Sequence, residues 1–527
     1  MAERRQNEIC EAATISWHLG RSGRKLYLEM KKDLRELVSS SNVVLSDVKK
    51  CVQPHLKSSG WGIKVQNAVY QQMKRRIEVE NSNPESCKEP LAFFQKAQAS
   101  WEKKVLKSIN SMCTELSLPL ARKRSTTEQA AVSSKFSTLG SECDMAELNK
   151  IRPVYSTLDF MEAVVNVKNP NYSPLRKLPS SVKGWGQIKI HLKVKTVSEL
   201  RSFFKETEHC GSQCGSFDAE GNSKDMDDNE WYKLGKRVIE KGSCPAAQQY
   251  AKSGCPSGLR RHIWCLILDV GDNEENKIYF EQLKSYVCTY DLLVDTLIKK
   301  DVKSTATNDD QYFVFEDLLY QVLLAFTRDT AVLKHFDQTS ASPPRSYIRG
   351  KLGVYEYAVF YPPNGIIPFH GFAMYAAPLC YIYENPSRLY HVFRELYTRY
   401  FSRLHSISSH PQGIVSLCLL FETLLQSQEP GLFYHLRQIG MHPLKTAFNW
   451  MFYAFSGYLE SEQVLILWDR VLGYDSLEIL AVLAHSIIAF RGKNLLGVTS
   501  VQGAEAVLND ITDIKVVPLL QRSLFLE

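Results

Sequence analysis

One histidine lies at the start of a long apolar stretch, PFHGFAMYAAPLCYIY, which spans residues 368–383. Pro368, His370 and Gly371 stand at its head, and His370 is the side chain of this stretch that can change its charge near neutral pH. Its type and position therefore make it the first candidate for proton chemistry. The alternative is a structural role, because a histidine beside an apolar helix is more often a satisfied core or surface residue.

A second group of chemically capable side chains lies in HCGSQC, where His209, Cys210 and Cys214 have the residue types of metal ligands. The segment lacks a matched second pair at zinc-like spacing, so we expect no metal site there. The chain also lacks a glycine-rich phosphate loop. We therefore expect it to bind no nucleotide and to need no cofactor of its own.

Composition is that of a globular protein, because 44% of the 527 residues are hydrophobic and 23% are charged. Its length predicts about two to four domains. The 13 cysteines are odd in number and scattered, and the chain begins with polar sequence. These features predict reduced thiols and a cytoplasmic location.

Basic residues are concentrated in the first part of the chain. Residues 1–200 contain 33 Lys and Arg against 20 Asp and Glu, whereas the remainder contains 31 against 37. Such a basic half can attract an acidic protein or an anionic membrane, with peripheral attachment to endomembranes, and nucleic acid is a less favoured partner. A solvated helical face is the simpler interpretation, and we prefer it.

The hydrophobic pattern predicts a mainly α protein with several regions. The pattern predicts a basic helical region over residues 1–120. Residues 121–150 are rich in Ser, Thr and Ala, which is typical of a linker. A second linker, acidic and polar, is predicted at 208–230. Beyond it, the pattern indicates an all-helical array over 235–500, followed by a C-terminal tail or helix at 501–527.

One segment has the pattern of a strand. In QIKIHLKVK, residues 187–195, apolar side chains alternate with basic ones, which predicts one packed and one solvated face. The following TVSELRSFF predicts a helix that Thr196 or Ser198 caps. Residues 151–207 are therefore a candidate small α+β element.

Two tryptophan-containing segments lie about 200 residues apart and both border predicted helices. The first is SGCPSGLRRHIWCLIL, and the second is AFNWMFYAFSGYLESEQVLILWDRVL. Together they resemble the opening and late blocks of the TBC-domain family of Rab GTPase-activating proteins. The matching residues are Gly254, Pro256, Leu259, Arg260 and Trp264 in the first segment and Trp450, Phe455, Trp468 and Asp469 in the second. The resemblance covers roughly residues 235–500 and implies an all-helical TBC-like domain.

Most of the matching side chains are expected to be structural. We expect Trp264, Trp450 and Trp468 to anchor the core. Arg260 is expected to form an internal ion pair, and Asp469 to be buried and hydrogen-bonded.

The resemblance implies that the chain supplies two catalytic side chains to a partner GTPase. An arginine from an Ile-x-x-Asp-x-x-Arg motif neutralises charge on the phosphoryl oxygens, and a glutamine from a Tyr-x-Gln-Gly-Met motif orients the attacking water. The stretch that holds His370 falls on the glutamine motif, where Gly371 and the AAPL of residues 376–379 match. His370 replaces the glutamine. Pro368 and Phe372 replace the tyrosine and the methionine.

The arginine motif is also incomplete. In IKKDVKST, Ile298, Asp301 and Thr305 match the motif, and Ser304 stands where the arginine belongs. Lys303 is adjacent and is a candidate substitute cation. In this position Asp301 is expected to orient neighbouring groups and to do no acid–base work.

The arginine motif can also be aligned in a second register, in which LLVDTLI supplies Asp295 as the aspartate and places Ile298 at the arginine position. We prefer the first register, since it keeps the isoleucine, the aspartate and the threonine. Neither supplies an arginine. The segment from Thr327 to Asn364 is longer than the family usually shows, and it contains three arginines that could substitute: Arg328, Arg345 and Arg349.

The two replacements predict weak or absent activity by the dual-finger mechanism. Ser304 carries no charge, and the neutral imidazole of His370 cannot offer both a donor and an acceptor to the same water, as the small planar amide of a glutamine can. Three functions remain open: a Rab GTPase-activating protein in vesicle traffic, a TBC scaffold that binds a Rab-like GTPase or another partner without catalysis, and a helical adaptor that acts through its basic half. The missing fingers favour the second over the first, and the fold motifs favour both over the third. GTP and Mg²⁺ would belong to the partner.

Overall fold

The computed structural model describes residues 20–39, 44–82, 88–138, 148, 150–168, 186–190, 192–208, 226–308, 310–336, 346–352 and 355–525. Within these ranges α-helix dominates, which confirms the predicted fold class, and strands occur as two antiparallel pairs. No described helix is both long enough and apolar enough to cross a bilayer. The described cysteines are free thiols.

The described residues form two compact units, and the first comprises those up to Glu78 together with Gly242–Pro245. Its helices are α1 (Gly20–Val38), α2 (Leu45–Ser58) and α3 (Trp61–Ser82), the last of which runs a few residues beyond the unit. Helix α1 packs against α2. Between them, Nε2 of His55 lies 2.6 Å from Oδ2 of Asp33. The prediction that the N-terminal region is helical is confirmed for these residues.

The second unit holds the rest of the described chain. Up to residue 336 its elements are α4 (Lys88–Leu116), β1 (Ala121–Lys123), α5 (Thr126–Ser134), α6 (Thr157–Val165), α7 (Val197–Phe203), α8 (Met226–Lys241), most of α9 (Cys244–Ser253), α10 (Ser257–Leu268), α11 (Glu274–Thr289), β2 (Tyr290–Leu292), α12 (Leu293–Asn308) and α13 (Glu316–Arg328). Beyond it follow β3 (Ser346–Leu352), β4 (Tyr355–Tyr361), α14 (Pro386–Arg399), α15 (Ile414–Gln428), α16 (Pro430–Gln438), α17 (Pro443–Phe452), α18 (Ser461–Tyr474), α19 (Glu478–Phe490), α20 (Gly492–Leu496), α21 (Val501–Asn509) and α22 (Val516–Phe525).

The core of this unit lies among the later helices. All residues of α18 except Glu462 are buried, and α19 is buried along almost its whole length because it packs against α15, α17 and α22. The C-terminal segment was predicted as a tail or a helix, and its described residues form two helices. The last of them, α22, buries Val516, Leu520 and Leu524.

The segment predicted as a linker at 121–150 is instead ordered over its described first part. Strand β1 pairs with β2, with Ala121 opposite Leu292, and α5 begins with a capping box formed by Ser125 and Glu128. The linker prediction failed here because the pairing partner lies far away in the sequence. Residues 139–147 and 149 lie outside the described residues.

The predicted strand at 187–195 is not formed in its described residues. Its backbone bonds to a side chain instead of a neighbouring strand, because the N–H groups of Gln187 and Ile188 donate to the Glu422 carboxylate at 2.7 and 3.0 Å. The alternation still reports burial correctly, since Ile188 and Ile190 are buried. The next helix, α7, starts at the predicted cap, where the Thr196 hydroxyl accepts from the N–H of Glu199.

The predicted boundary at 208–230 does not divide the two units. Segments from both sides of it share one aromatic core, in which the Phe160 ring lies 5.2 Å from Trp101 and 5.7 Å from Phe452. Residues 209–225, which include His209, Cys210 and Cys214, lie outside the described residues. Within the described ranges, no group of three or more His, Cys, Asp or Glu side chains is placed to hold a metal ion.

Candidate functional site

The two tryptophan-containing segments meet at a buried carboxylate. Asp469 on α18 is fully buried and accepts hydrogen bonds from the backbone N–H of Cys255 at 3.0 Å and from Nε1 of Trp264 at 2.7 Å. The Arg260 guanidinium also donates to it, with Nη2 at 3.0 Å. Arg260 and Asp469 therefore form the internal ion pair and the buried acceptor that the sequence predicts.

The other matching residues at this junction are structural as well. Trp264, Trp450 and Trp468 are almost completely buried, as core anchors should be. Gly254 has φ +107, and a Cβ there would lie 2.9 Å from the guanidinium of Arg470. Pro256 follows and precedes the first turn of α10. The junction thus fixes the fold and presents no reactive group.

A second buried carboxylate organises the turn that carries His370. Asp301 on α12 accepts from the backbone N–H of Gly371 at 2.6 Å through Oδ1 and from that of Ala373 at 2.7 Å through Oδ2. We call residues 370–373 the finger turn. The contact joins the predicted arginine-motif segment to the predicted glutamine-motif segment, which favours the register that uses Asp301.

The alternative aspartate has a different role. Asp295 is buried and pairs with Arg328, whose Nη2 donates to Oδ2 at 2.6 Å. Asp295 also accepts from the backbone N–H of Leu292. Arg328 is consequently a structural cation within the protein. Arg345 and the side chain of Arg349 lie outside the described part of the chain.

The side chain of His370 points outward, whereas its backbone is held. The imidazole is 54% exposed, with Nδ1 4.0 Å from Oδ1 of Asp301. The Tyr453 hydroxyl donates to the carbonyl oxygen of His370 at 2.7 Å. Gly371 follows with φ +84, and a Cβ there would lie 2.5 Å from the Tyr453 ring. Glycine is therefore required where the turn passes this tyrosine.

The remaining candidates lie on α12, one turn beyond Asp301. Ser304 is half-buried. Lys303 donates through Nζ to both carboxylate oxygens of Glu316, at 2.9 and 3.0 Å, and its side chain is 24% exposed. This ion pair holds the Lys303 charge beside a carboxylate, so the lysine would have to leave Glu316 to reach a phosphate.

Burial changes the electrostatics of Asp301. It raises the pKa of this carboxyl to about 6, while the N–H groups of Ala373 and Gly371 and the nearby His370 ring act in the opposite direction. The folded chain therefore keeps this proton at pH values where the unfolded chain, with a pKa near 3.8, releases it. The contribution to the free energy of unfolding is fully present below pH 3.8 and is lost as the pH rises through 6.

An Asp301→Asn variant tests this effect, because asparagine has the same size and no titration. We expect the free energy of unfolding of the wild type, relative to that of the variant, to fall by about 1 kcal/mol between about pH 5 and 7.5, out of about 3 kcal/mol over the whole titration. Urea unfolding of both proteins at several pH values measures it. A difference that stays constant or rises with pH would contradict the raised pKa.

Two residues of the site were missed by sequence reasoning. Tyr453 holds the His370 carbonyl, and Thr157 on α6 lies with Oγ1 2.9 Å from the Tyr453 hydroxyl oxygen. The only available signal was that Tyr453 lies in the aromatic-rich second segment. Nothing in the sequence near Thr157 indicated a contact with a residue almost 300 positions away.

Comparison with known proteins identifies the family. The Rab-GTPase-TBC domain family matches residues 369–496. Over 505 residues, which are 95% of this chain and 95% of the relative, the chain is 53% identical to the human protein TBC1 domain family member 19. The chain belongs to the TBC-domain family. The resemblance predicted from the two tryptophan-containing segments is thereby confirmed.

A solved TBC domain has also been compared. The crystal structure of the Chlamydomonas flagellar RabGAP TBC domain shares 16% sequence identity with this TBC protein and has a TM-score of 0.41. The alignment covers 56% of this chain and 91% of that one. The family match begins at Phe369, one residue before the finger turn, and ends at Leu496 in α20.

Proposed function

We propose that this chain binds a GTP-loaded Rab-family GTPase, as a regulator of vesicle trafficking, and accelerates GTP hydrolysis only weakly. The observation that carries the proposal is the hydrogen bonding of Asp301 to the finger turn. It supports the assignment of His370 and Ser304 to the two finger positions, on one surface formed by α12 and the turn. A partner GTPase that meets this surface finds an imidazole and a hydroxyl where the family places glutamine and arginine.

Weak catalysis is expected because the cations near this surface are paired within the protein. Charge builds up on the phosphoryl oxygens as the γ-phosphate leaves, and an arginine that neutralises it contributes about 10³ to 10⁵ in rate. Ser304 has no charge, Lys303 is bound to Glu316, and Arg328 is buried against Asp295. Each of these observations supports a surface that lacks a free guanidinium at the arginine position.

The second candidate function is a catalytically silent scaffold. His370 is exposed and can still donate one hydrogen bond to a water or a phosphate oxygen. With that single donor and no free cation, the surface would hold the GTPase without accelerating hydrolysis. Both candidates require binding, so binding is the first test.

Purified full-length chain should be titrated into a panel of Rab GTPases loaded with GDP or with a non-hydrolysable GTP analogue. We expect at least one Rab to bind, and to bind its GTP form more tightly. His370→Glu should weaken that binding by about tenfold, because a carboxylate would face the nucleotide phosphates. Gln438→Glu, the same added charge on an exposed position of α16, is the matched control and should bind normally. If no Rab binds, or if GDP and GTP forms bind equally, the proposal is wrong.

We also propose a cytoplasmic location with peripheral attachment to endomembranes. Support comes from the excess of basic residues before position 200, which favours an anionic surface. Co-sedimentation of the full-length chain with vesicles that contain phosphatidylserine, beside neutral vesicles, tests this attachment. Equal recovery with both kinds of vesicle would contradict it.

A further inference from the structure

A segment from before the family match runs along the finger turn. Nζ of Lys300, the residue before Asp301, donates to the carbonyl oxygen of Ile151. The Tyr155 ring lies 5.3 Å from that of Phe369, the residue before His370. The Thr157 hydroxyl lies 2.9 Å from that of Tyr453, which donates to the carbonyl oxygen of His370. Residues 151–157 thus contact the immediate neighbours of the Asp301 and His370 positions at three successive points.

This segment is a fixed part of the fold. The Ser108 hydroxyl on α4 donates to the carbonyl oxygen of Val154 at 2.8 Å. The Trp101 ring lies 4.9 Å from Tyr155, and Phe160 packs between α4 and α17. Because α4 and the segment are held together by buried rings, they present one rigid surface beside the finger turn.

Between α4 and this segment lies an open cleft of about 380 Å³, which we call the 152–159 cleft. Its lining includes Trp101, Lys104, Ser108, Arg152, Tyr155 and Asp159. The two cations are accessible, since the Arg152 side chain is 44% exposed and Lys104 is exposed. Glu115 lies 3.5 Å from Arg152 at the surface, where such a pair contributes little.

The lining of the cleft carries two cations and one carboxylate. The Asp159 carboxylate is engaged locally, because Oδ2 accepts from the backbone N–H of Ser156 at 2.9 Å and from its hydroxyl at 2.8 Å. Lys104 is exposed, with Nζ 5.6 Å from the Trp101 ring. The hydrogen bonds from Ser156 and the charge of Lys104 together lower the pKa of Asp159.

The Arg152 guanidinium also donates to the Ser108 hydroxyl at 2.8 Å. Both cations are exposed beside the rings of Trp101 and Tyr155, and Tyr155 connects the cleft to Phe369.

The segment does not close the site. If residues 151–157 covered the finger turn, they would bury the imidazole of His370, but this side chain is 54% exposed. Residues 151–157 contact the side of the finger turn and leave the His370 imidazole exposed. This arrangement is expected if the segment and the turn together form one docking face. An autoinhibitory cover would leave no such exposure.

We infer that the GTPase-contact face extends from the finger turn onto the 152–159 cleft, where Lys104 and Arg152 bind an acidic segment of the GTPase. This inference rests on the proposed function and adds to it a contact outside the residues that match the family. The contact face then consists of the finger turn, which lacks the family's catalytic side chains, and the cations of the cleft, which attract the GTPase by charge. Such an anchor would act mainly through the rate of association and would be sensitive to salt.

The test uses the full-length chain and the Rab that binds it best. A Lys104→Glu, Arg152→Glu double variant should weaken binding of the GTP-loaded Rab by about tenfold at low salt and should reduce its salt dependence. Lys103→Glu, on the same helix but outside the cleft lining, is the matched control and should change the affinity by less than about twofold. A Lys104→Ala, Arg152→Gln variant should show a smaller loss in the same direction. This milder variant provides the test if charge reversal disturbs folding.

The outcomes separate the two proposals. If His370→Glu weakens binding and both cleft variants bind like the wild type, the finger turn binds the GTPase and the cleft does not, so this inference is overturned. If the wild type binds no Rab, the proposed function fails and the inference fails with it. Equal losses in the cleft variants and in Lys103→Glu would show a general charge effect and would also overturn it.

Discussion

Replacing Ser304 by Arg and His370 by Gln in one chain is expected to increase the single-turnover rate of GTP hydrolysis by the bound Rab by about 100-fold or more over the wild type. Asp301 lies one helical turn before position 304 and fixes the finger turn through two backbone hydrogen bonds. Both positions therefore belong to one rigid surface. The new guanidinium would supply the charge that Ser304 lacks, and the new amide would donate to and accept from the attacking water.

The single variants separate the two contributions. Ser304→Arg should supply most of the gain, since charge neutralisation dominates the barrier, and His370→Gln should contribute less alone. Thr307→Arg adds a guanidinium to the exposed end of the same helix and is the matched control, so it should leave the rate unchanged. A double variant that binds the Rab normally and hydrolyses GTP no faster than the wild type would refute the assignment of these two positions.

Replacing Asp469 by Ala is expected to lower the free energy of unfolding by about 3–5 kcal/mol. Three donors converge on this carboxylate: the guanidinium of Arg260, the indole N–H of Trp264 and the backbone N–H of Cys255. The change would leave a buried positive charge and two buried N–H groups without their acceptor. Desolvation of unpaired groups, more than loss of the contacts themselves, accounts for the size of the effect.

Two variants calibrate this measurement. Asp469→Asn keeps the shape and one acceptor but removes the charge, so it should cost less than alanine. Glu505→Ala removes one partner of an exposed ion pair with Lys445, 3.8 Å long, and should cost less than about 1 kcal/mol. Urea unfolding followed by circular dichroism gives all three values. An Asp469→Ala chain as stable as Glu505→Ala would show that the junction is not the structural centre described here.

Local periodicity explains which parts of the fold could be predicted. Helices such as α18 and α19 follow from apolar spacing, and the capped start of α7 follows from Thr196 and Glu199, because both depend on residues close in sequence. Family resemblance predicted an internal ion pair for Arg260 and a buried, hydrogen-bonded Asp469, but it did not predict that these two residues pair with each other. Residue types alone would not have paired them.

Interactions that span long sequence separations explain the errors. The segment 187–195 alternates like a strand, but its backbone donors go to Glu422, more than 200 residues away. Residues 121–123 look like a linker and pair with β2 instead. In the site, the sequence indicated His370 and Asp301 but not Tyr453 or Thr157, since hydroxyl contacts between distant elements leave no periodic signal.

The surface formed by α12 and the finger turn is proposed to bind a Rab and to lack the groups for efficient catalysis. The most direct measurement is single-turnover hydrolysis of GTP by the Rab that binds this chain, with the full-length chain at saturating concentration. We expect an acceleration of less than about tenfold, against the factor of about 10³ or more that an arginine finger supplies. An acceleration of about 10³ by the wild type would contradict this proposal and would require a catalytic cation other than those placed at this surface.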